Sequence, residues 1–231
     1  MKGNRQILRD IETLARLLKK YQIESDNLYL LEQMASNHKL LKECSLNDLT
    51  FTFSCAAQKP YPDVVKKIAV VIDLNYSYGD LDTACDVFQT YQLELCIKGY
   101  ERNKETESKY FCWHLDRETN LEGKFIHPRY HFHAGGYRMK DVLEEEGRDF
   151  VISSPRLAHP PMDVILIVHF IIQNFINKRD QADMYKITND EEYIAVLMRA
   201  QNRVLDPYFA TFSKDSNHQD YTKNNLFPLY S

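Results

Sequence analysis

Apolar and polar side chains alternate along three segments in the middle of the chain, residues 89–100, 108–116 and 125–136. Successive side chains point to opposite faces of a β-strand, so this alternation predicts strands with one apolar face and one polar face. Three such strands in succession favour an antiparallel meander whose apolar faces form one side of a core. A β-branched run at 68–74 (IAVVIDL) predicts a further strand.

Helices are predicted on both sides of this strand region. Apolar residues recur every three or four positions over 5–20 and again over about 27–41. They predict an N-terminal helical hairpin, either packed on the main domain or offered to a protein partner. A very apolar helix is predicted from Pro160 and Pro161 to about Phe175. A last helix is predicted from near Asp190, with Asn189 or Thr188 as its cap, and it is expected to end before Pro207.

The order of these elements predicts an α+β fold: N-terminal helices, a central antiparallel β-sheet (meander), and C-terminal helices packed on one sheet face. Residues 1–48 form the predicted N-terminal helical region, 49–212 the α+β core domain, and 213–231 a loosely ordered tail.

Several features predict a cytoplasmic protein with no membrane partner. The most apolar run, 162–176, is too short to span a bilayer comfortably, and the N-terminus has no stretch resembling a signal peptide. The five cysteines are widely spaced and odd in number, which favours reduced thiols over a disulfide framework. A formal net charge of -4 argues against a surface that binds nucleic acid all over, but it permits a local basic groove.

The sequence FIHPRYHFHAGG, residues 125–136, supplies the candidate functional site. On a strand, alternate side chains project from one face at intervals of roughly 7 Å. The predicted face carries four such residues: His127, Arg129, His131 and His133. If the preceding strand pairs with this one, His114 and Asp116 join the same surface, and Glu94 and Lys98 extend it.

Four interpretations of this face are open. A solvated face of an antiparallel sheet needs no function, although Lys, Glu and Thr are its usual occupants. A zinc or other transition-metal site fits His131 and His133, with His114 or Asp116 as a further ligand. Metal-independent acid–base chemistry on a phosphodiester fits His131 and His133 as base and acid, with Arg129 binding phosphate. Binding of RNA, DNA or a nucleotide without chemistry is the fourth.

A second group of polar residues lies in the sequence ISSPRLAHPPMD, residues 152–163. Arg156, His159 and Asp163 precede the apolar helix, and the amides and dipole at a helix N-terminus attract anions. The alternative is structural, with Asp163 compensating the dipole and Arg156 paired with a carboxylate. The closeness of this group to the histidine-rich segment favours function.

Three motifs carry a resemblance over roughly residues 90–210: H-x-H-x-G-G at 131–136, S-P-R-x-x-H-P-P-M-D at 154–163 and AQNRVLDPY at 200–208. With the very apolar helix between them, this order resembles uncharacterised bacterial proteins encoded near toxin–antitoxin or phage-defence genes. The resemblance implies an activity directed at nucleic acid or a partner in a defence complex, and it assigns no catalytic residue.

The leading functional prediction is cleavage of RNA or another phosphodiester by a toxin- or defence-type protein. The predicted catalytic residues are His131, His133 and Arg129, and the predicted substrate-binding residues are Arg156, His159, His127 and His114. This chemistry needs no cofactor, although a divalent metal such as zinc is an alternative. The rival predictions are a metal-binding protein and a non-catalytic interaction subunit, antitoxin-like or an adaptor, that binds its partner through the N-terminal helices.

Overall fold

The structure is a computed structural model, and it describes residues 2–37, 42–54, 65–79, 86–101, 107–119, 127–135, 156–212 and 223–226. Within these residues the chain is an α+β protein, with helices at both ends and a six-stranded sheet between them. The strands follow one another across the sheet in sequence order, and every neighbouring pair is antiparallel. This is the meander that the alternation predicts.

Four strands of the sheet are long and two are short. They are β1 (Glu43–Ser54), β2 (Val65–Tyr78), β3 (Phe88–Glu101), β4 (Glu107–Arg117), β5 (Tyr130–Ala134) and β6 (Leu157–Ala158). β1 begins inside the region that the sequence predicts as helical. Its alternation is broken because the pairing with β2 shifts register between Leu46 and Leu49, and Asp48 there has a φ of 62°.

The predicted strand over 125–136 is shorter in the structure, because β5 starts only at Tyr130. Pro128 has no amide hydrogen for a neighbouring strand, which explains why pairing begins after it. β5 ends before Gly135, whose φ of 111° is a conformation that L side chains rarely adopt. The second glycine of the motif, Gly136, lies outside the described residues.

The N-terminal helices α1 (Lys2–Lys20) and α2 (Tyr29–Ser36) pack on the main domain. The apolar residues of α1 are buried in the core: Ile7, Leu8, Ile11, Leu14, Ala15, Leu17 and Leu18. The structure therefore has the first of the two predicted arrangements of the hairpin, and the apolar side of α1 is already covered.

The very apolar helix is α3 (Val164–Phe175), and it begins at Asp163 rather than at the two prolines. Asp163 is its N-cap, and Oδ1 accepts hydrogen bonds from the amides of Ile165 and Leu166 at 3.1 and 3.0 Å. Asp163 also pairs with Arg203 from the last long helix, so the structural explanation of this aspartate is confirmed.

One long helix, two short helices and a 3₁₀ turn follow α3. They are α4 (Ala182–Tyr185), the 3₁₀ turn (Lys186–Asn189), the long helix α5 (Glu191–Ala210) and α6 (Lys223–Leu226). The cap of α5 is Asp190, which accepts from two amides, and not Asn189 or Thr188. The prediction that this helix ends before Pro207 is also wrong. Val204 and Tyr208 are buried on either side of Pro207, and their packing outweighs the backbone hydrogen bond that a proline removes.

One face of the sheet and the helices enclose the core. Leu93 of β3 and Leu115 of β4 lie in the same buried cluster as Ile165 and Ile171 of α3. The other face of β3, β4 and β5 carries the polar residues of the candidate site. None of the helices in the described ranges is long and apolar enough to cross a membrane. Within the tail that the sequence predicts to be loosely ordered (213–231), residues 213–222 and 227–231 lie outside the described ranges.

Candidate functional site

The pairing of β4 with β5 brings the polar residues of both strands onto one face. His114 is the Cα partner of His133, and Asp116 is the partner of His131. Because side chains alternate, all four lie on the side opposite the core residues Leu115 and Tyr130. The surface that the sequence predicts from these two strands is therefore present in the structure.

Four imidazoles form a continuous row on this face. The ring centroids of His127 and His131 are 5.4 Å apart, those of His131 and His133 are 5.6 Å apart, and those of His133 and His114 are 5.0 Å apart. His127 precedes β5, and its Nδ1 lies 3.1 Å from a carboxylate oxygen of Glu118. The row thus extends the strand face to the turn before β5.

At one end of the row, three side chains of metal-ligating type converge. A nitrogen of His114, a nitrogen of His133 and a carboxylate oxygen of Asp116 all lie within 4.8 Å of one another. His114 Nε2 is 2.8 Å from Asp116 Oδ1, and His133 Nε2 is 3.9 Å from Asp116 Oδ2. His133 Nε2 is buried and makes no hydrogen bond to any described residue, so a ligand at this cluster would give this nitrogen a partner.

Burial keeps the central imidazoles neutral. Loss of hydration, followed by the rings of His114 and His131, lowers the pKa of His133 to about 4. Loss of hydration also lowers the pKa of His131, although Pro128 and Asp116 favour its charged form. Both rings therefore carry a free lone pair at neutral pH, which is the form that binds a metal ion.

Arg156 lies at the edge of the same face. It directly precedes β6, whose Ala158 pairs with His131, so Arg156 falls on the side of the sheet that carries the histidines. Its charge reaches both rings, since it lowers the pKa of His131 and of His133. The structure therefore brings Arg156 together with His131 and His133, as the sequence predicts.

Arg129 does not join this row, which corrects the prediction that it shares the face of His131. Its Nε lies 3.3 Å from a carboxylate oxygen of Asp86. Asp86 also binds Arg117 and accepts a hydrogen bond from the hydroxyl of Tyr130, whose side chain points away from His131. Arg129 precedes β5 and so is free of the strand's alternation, and its long side chain reaches the carboxylate on the other side.

His159 also lies away from the histidine row. Its ring packs edge-on against Phe132, with a centroid distance of 4.6 Å, and its Nδ1 is 2.6 Å from the carbonyl oxygen of Pro160. Phe132 belongs to the apolar face of β5, so His159 stands on the opposite side of the sheet from His131. His169 of α3 is also apart from the row, because its Nδ1 lies 2.9 Å from the hydroxyl of Tyr193 of α5.

The structure also corrects the prediction of reduced thiols. Cys96 of β3 and Cys112 of β4 are directly opposed, and their sulfur atoms are bonded at 2.09 Å. Both cysteines are on the polar face of their strands, which the alternation shows. Only the register, which the sequence does not reveal, brings them together beside Glu94 and close to His114.

No protein-family model matches the chain, and no curated protein or solved structure is significantly similar to it. The function must therefore be argued from the site itself.

Proposed function

We propose that this protein is a metal-dependent hydrolase of phosphodiesters that holds a divalent transition-metal ion on His114, Asp116 and His133. The convergence of these three side chains within 4.8 Å carries the proposal. Zinc binds nitrogen at about 2.0–2.1 Å and carboxylate oxygen at about 2.0–2.2 Å in a tetrahedral arrangement, so its ligand atoms lie about 3.4 Å apart. The contact of 2.8 Å between His114 and Asp116 would lengthen and that of 3.9 Å between His133 and Asp116 would shorten, each by roughly half an ångström, which a change of side-chain rotamer can supply.

The electrostatics favour this mechanism over metal-independent acid–base cleavage. A pair of histidines acting as base and acid needs one protonated ring near neutral pH. With its pKa at about 4, His133 is neutral there and has no proton to give to a leaving group. A neutral imidazole is instead the form that coordinates a metal.

One hydrogen bond prepares His131 for a role in hydrolysis. His131 Nδ1 lies 3.0 Å from the carbonyl oxygen of Pro128, and since a carbonyl oxygen only accepts, Nδ1 carries the hydrogen. The lone pair of His131 is therefore on Nε2, where it can take a proton from the attacking water. His114 Nε2 and Asp116 Oδ1 are already 2.8 Å apart, so both atoms can turn toward one ion.

The substrate is an anion in this proposal, because Arg156 places a positive charge beside His131 and His133. A guanidinium binds two phosphate oxygens at once and stabilises the charge that develops on them during attack. A bound divalent ion supplies an activated water and polarises the phosphorus–oxygen bond. We take RNA as the substrate, and we keep the toxin- or defence-type role and the cytoplasmic location as parts of this proposal.

The test combines zinc binding with RNA cleavage. We expect the chelator-treated chain to bind zinc, and the zinc-loaded chain to cleave a labelled RNA oligonucleotide. Structural zinc sites supply about 10–16 kcal/mol from four ligands, so the loss of one ligand costs about 3 kcal/mol and weakens binding by roughly 100-fold. His114→Ala and His133→Ala should show this loss and should not cleave RNA.

His159→Ala is the matched control, because it removes a half-buried imidazole that packs on Phe132, on the opposite face of the sheet. It should bind zinc and cleave RNA like the wild type. Unchanged zinc affinity in His133→Ala would contradict the metal site. Tight zinc binding with no cleavage of RNA or of a simple phosphodiester would contradict the hydrolase.

A second candidate, an interaction subunit, is favoured by one observation. Ile194, Met198 and Phe209 of α5 are 40, 55 and 54% exposed, whereas the apolar residues of α1 are buried. A protein partner would therefore meet α5 rather than α1. Co-purification with a partner that is lost in Met198→Glu, with zinc binding retained, would support this function.

A further inference from the structure

A second group of potential ligands lies next to the first on the same face of the sheet. Cys96, Cys112 and Glu94 offer two sulfur atoms and a carboxylate oxygen that all lie within 4.8 Å of one another. Glu94 is the Cα partner of His114, so the two groups are adjacent across β3 and β4. None of the three residues has a part in the hydrolysis proposed above.

The environment of this group is unusual for a carboxylate. Glu94 is 5% exposed, and its Oε1 lies 3.7 Å from the sulfur of Cys96. A disulfide sulfur has no hydrogen to donate, so the short distance is not a hydrogen bond in the bonded state. A metal ion bound by both sulfurs would lie within reach of this oxygen.

The ligand types match a definite ion. Two thiolates with one carboxylate form a soft, anionic set that selects zinc over magnesium or calcium. Cys96 and Cys112 are fully buried against Val71, with Tyr110 packed beside them. A water-poor setting of this kind strengthens the attraction between thiolates and a cation.

We propose that Cys96, Cys112 and Glu94 form a second zinc site when the disulfide is reduced, and that oxidation of the two thiolates releases the ion. In the oxidation, a small disulfide such as oxidised glutathione accepts two electrons and leaves as two thiolates. The two cysteine thiolates lose these electrons and form the Cys96–Cys112 bond, and one Zn²⁺ departs. In the reverse direction a dithiol reductant supplies two electrons and is itself oxidised.

The experiment measures bound zinc in the reduced and the oxidised chain. Full-length protein is stripped with a chelator, kept with or without a phosphine reductant, reloaded with zinc chloride, desalted, and assayed for metal. We expect the reduced chain to retain about one zinc ion more than the oxidised chain. Cobalt in place of zinc should give a thiolate-to-metal charge-transfer band in the reduced wild type and not in the oxidised wild type. This measurement needs no variant.

Variants separate this site from the hydrolytic one. The double variant Cys96→Ser/Cys112→Ser should retain the same amount of zinc with and without reductant, whereas Cys44→Ser, which changes a buried cysteine outside the disulfide, should behave as the wild type. His114→Ala/His133→Ala should lose the first ion and keep the increase on reduction. Equal zinc in both redox states of the wild type would overturn the proposal, as would an increase that persists in the double cysteine variant.

Discussion

Replacing Asp163 by alanine should destabilise the protein far more than the same change at Asp190. Both aspartates cap a helix in the same way, since each Oδ1 accepts hydrogen bonds from two amides of the first turn. Both also bind a cation through Oδ2, which is Arg203 for Asp163 and Lys20 for Asp190. The two sites differ in the exposure of that cation, because the side chain of Arg203 is 13% exposed and that of Lys20 is 53% exposed.

The magnitudes follow from this difference. Loss of a helix cap costs about 1 kcal/mol at either site. Asp163→Ala also leaves a guanidinium buried and unpaired, which costs about 3–5 kcal/mol more. Asp190→Ala releases Lys20 into water, and an exposed pair contributes little. We therefore expect the free energy of unfolding to fall by about 3 kcal/mol more for Asp163→Ala than for Asp190→Ala.

Urea denaturation followed by circular dichroism measures both changes. Asp163→Asn serves as an intermediate variant, because an amide oxygen still caps α3 while the charge that neutralises Arg203 is gone. The midpoint should decrease in the order wild type, Asp190→Ala, Asp163→Asn, Asp163→Ala, with the denaturant slope unchanged. Equal losses for the two alanine variants would refute the argument that the buried pair, and not the cap, dominates at Asp163.

Three further predictions use the same measurements. In the metal-free protein the pKa of His133 is about 4 in the folded state and about 6.5 in the unfolded state. Between these pH values the unfolded chain therefore binds one proton more than the folded chain. Stability from this group is therefore present above pH 6.5 and is lost as the pH falls towards 4, and His133→Gln should flatten the Tm profile there. The hydrogen bond from Lys20 lowers the pKa of Asp190 to about 2. The contribution of Asp190 to the free energy of unfolding is therefore present above about pH 4 and is lost as the pH falls towards 2. Asp190→Asn should remove this loss of stability between pH 4 and pH 2. The same loss in the variant would contradict the pairing of Asp190 with Lys20. Tyr91→Phe should lower the free energy of unfolding by about 1–3 kcal/mol, because the Tyr91 hydroxyl donates to the carbonyl of Met162 at 2.9 Å and accepts from its amide at 3.1 Å. An unchanged urea midpoint would show that these buried groups find other partners.

The sequence predicts the faces of the strands well, because alternation depends only on local backbone geometry. It places His114, Asp116, His131 and His133 on one side of β4 and β5, where the structure has them. It does not predict which residues oppose each other, since register depends on packing along the whole strand. The Cys96–Cys112 bond is missed for this reason.

Residues at the ends of strands are harder to predict from the sequence. Arg129 follows the alternating pattern, yet its side chain lies with Asp86 because pairing of β5 begins one residue later. His159 is close to the cluster in sequence, but its position places its ring on Phe132, on the opposite face. The caps Asp163 and Asp190 lie next to residues that also suit a helix start, and only the amide hydrogen bonds decide between them.

Zinc K-edge absorption spectroscopy of the oxidised, zinc-loaded protein tests the metal site most directly. We predict two imidazole nitrogens at about 2.0–2.1 Å and oxygen ligands at a similar distance, with the imidazole scattering reduced by half in His133→Ala. A spectrum with oxygen scatterers alone, or one that His133→Ala leaves unchanged, would contradict it.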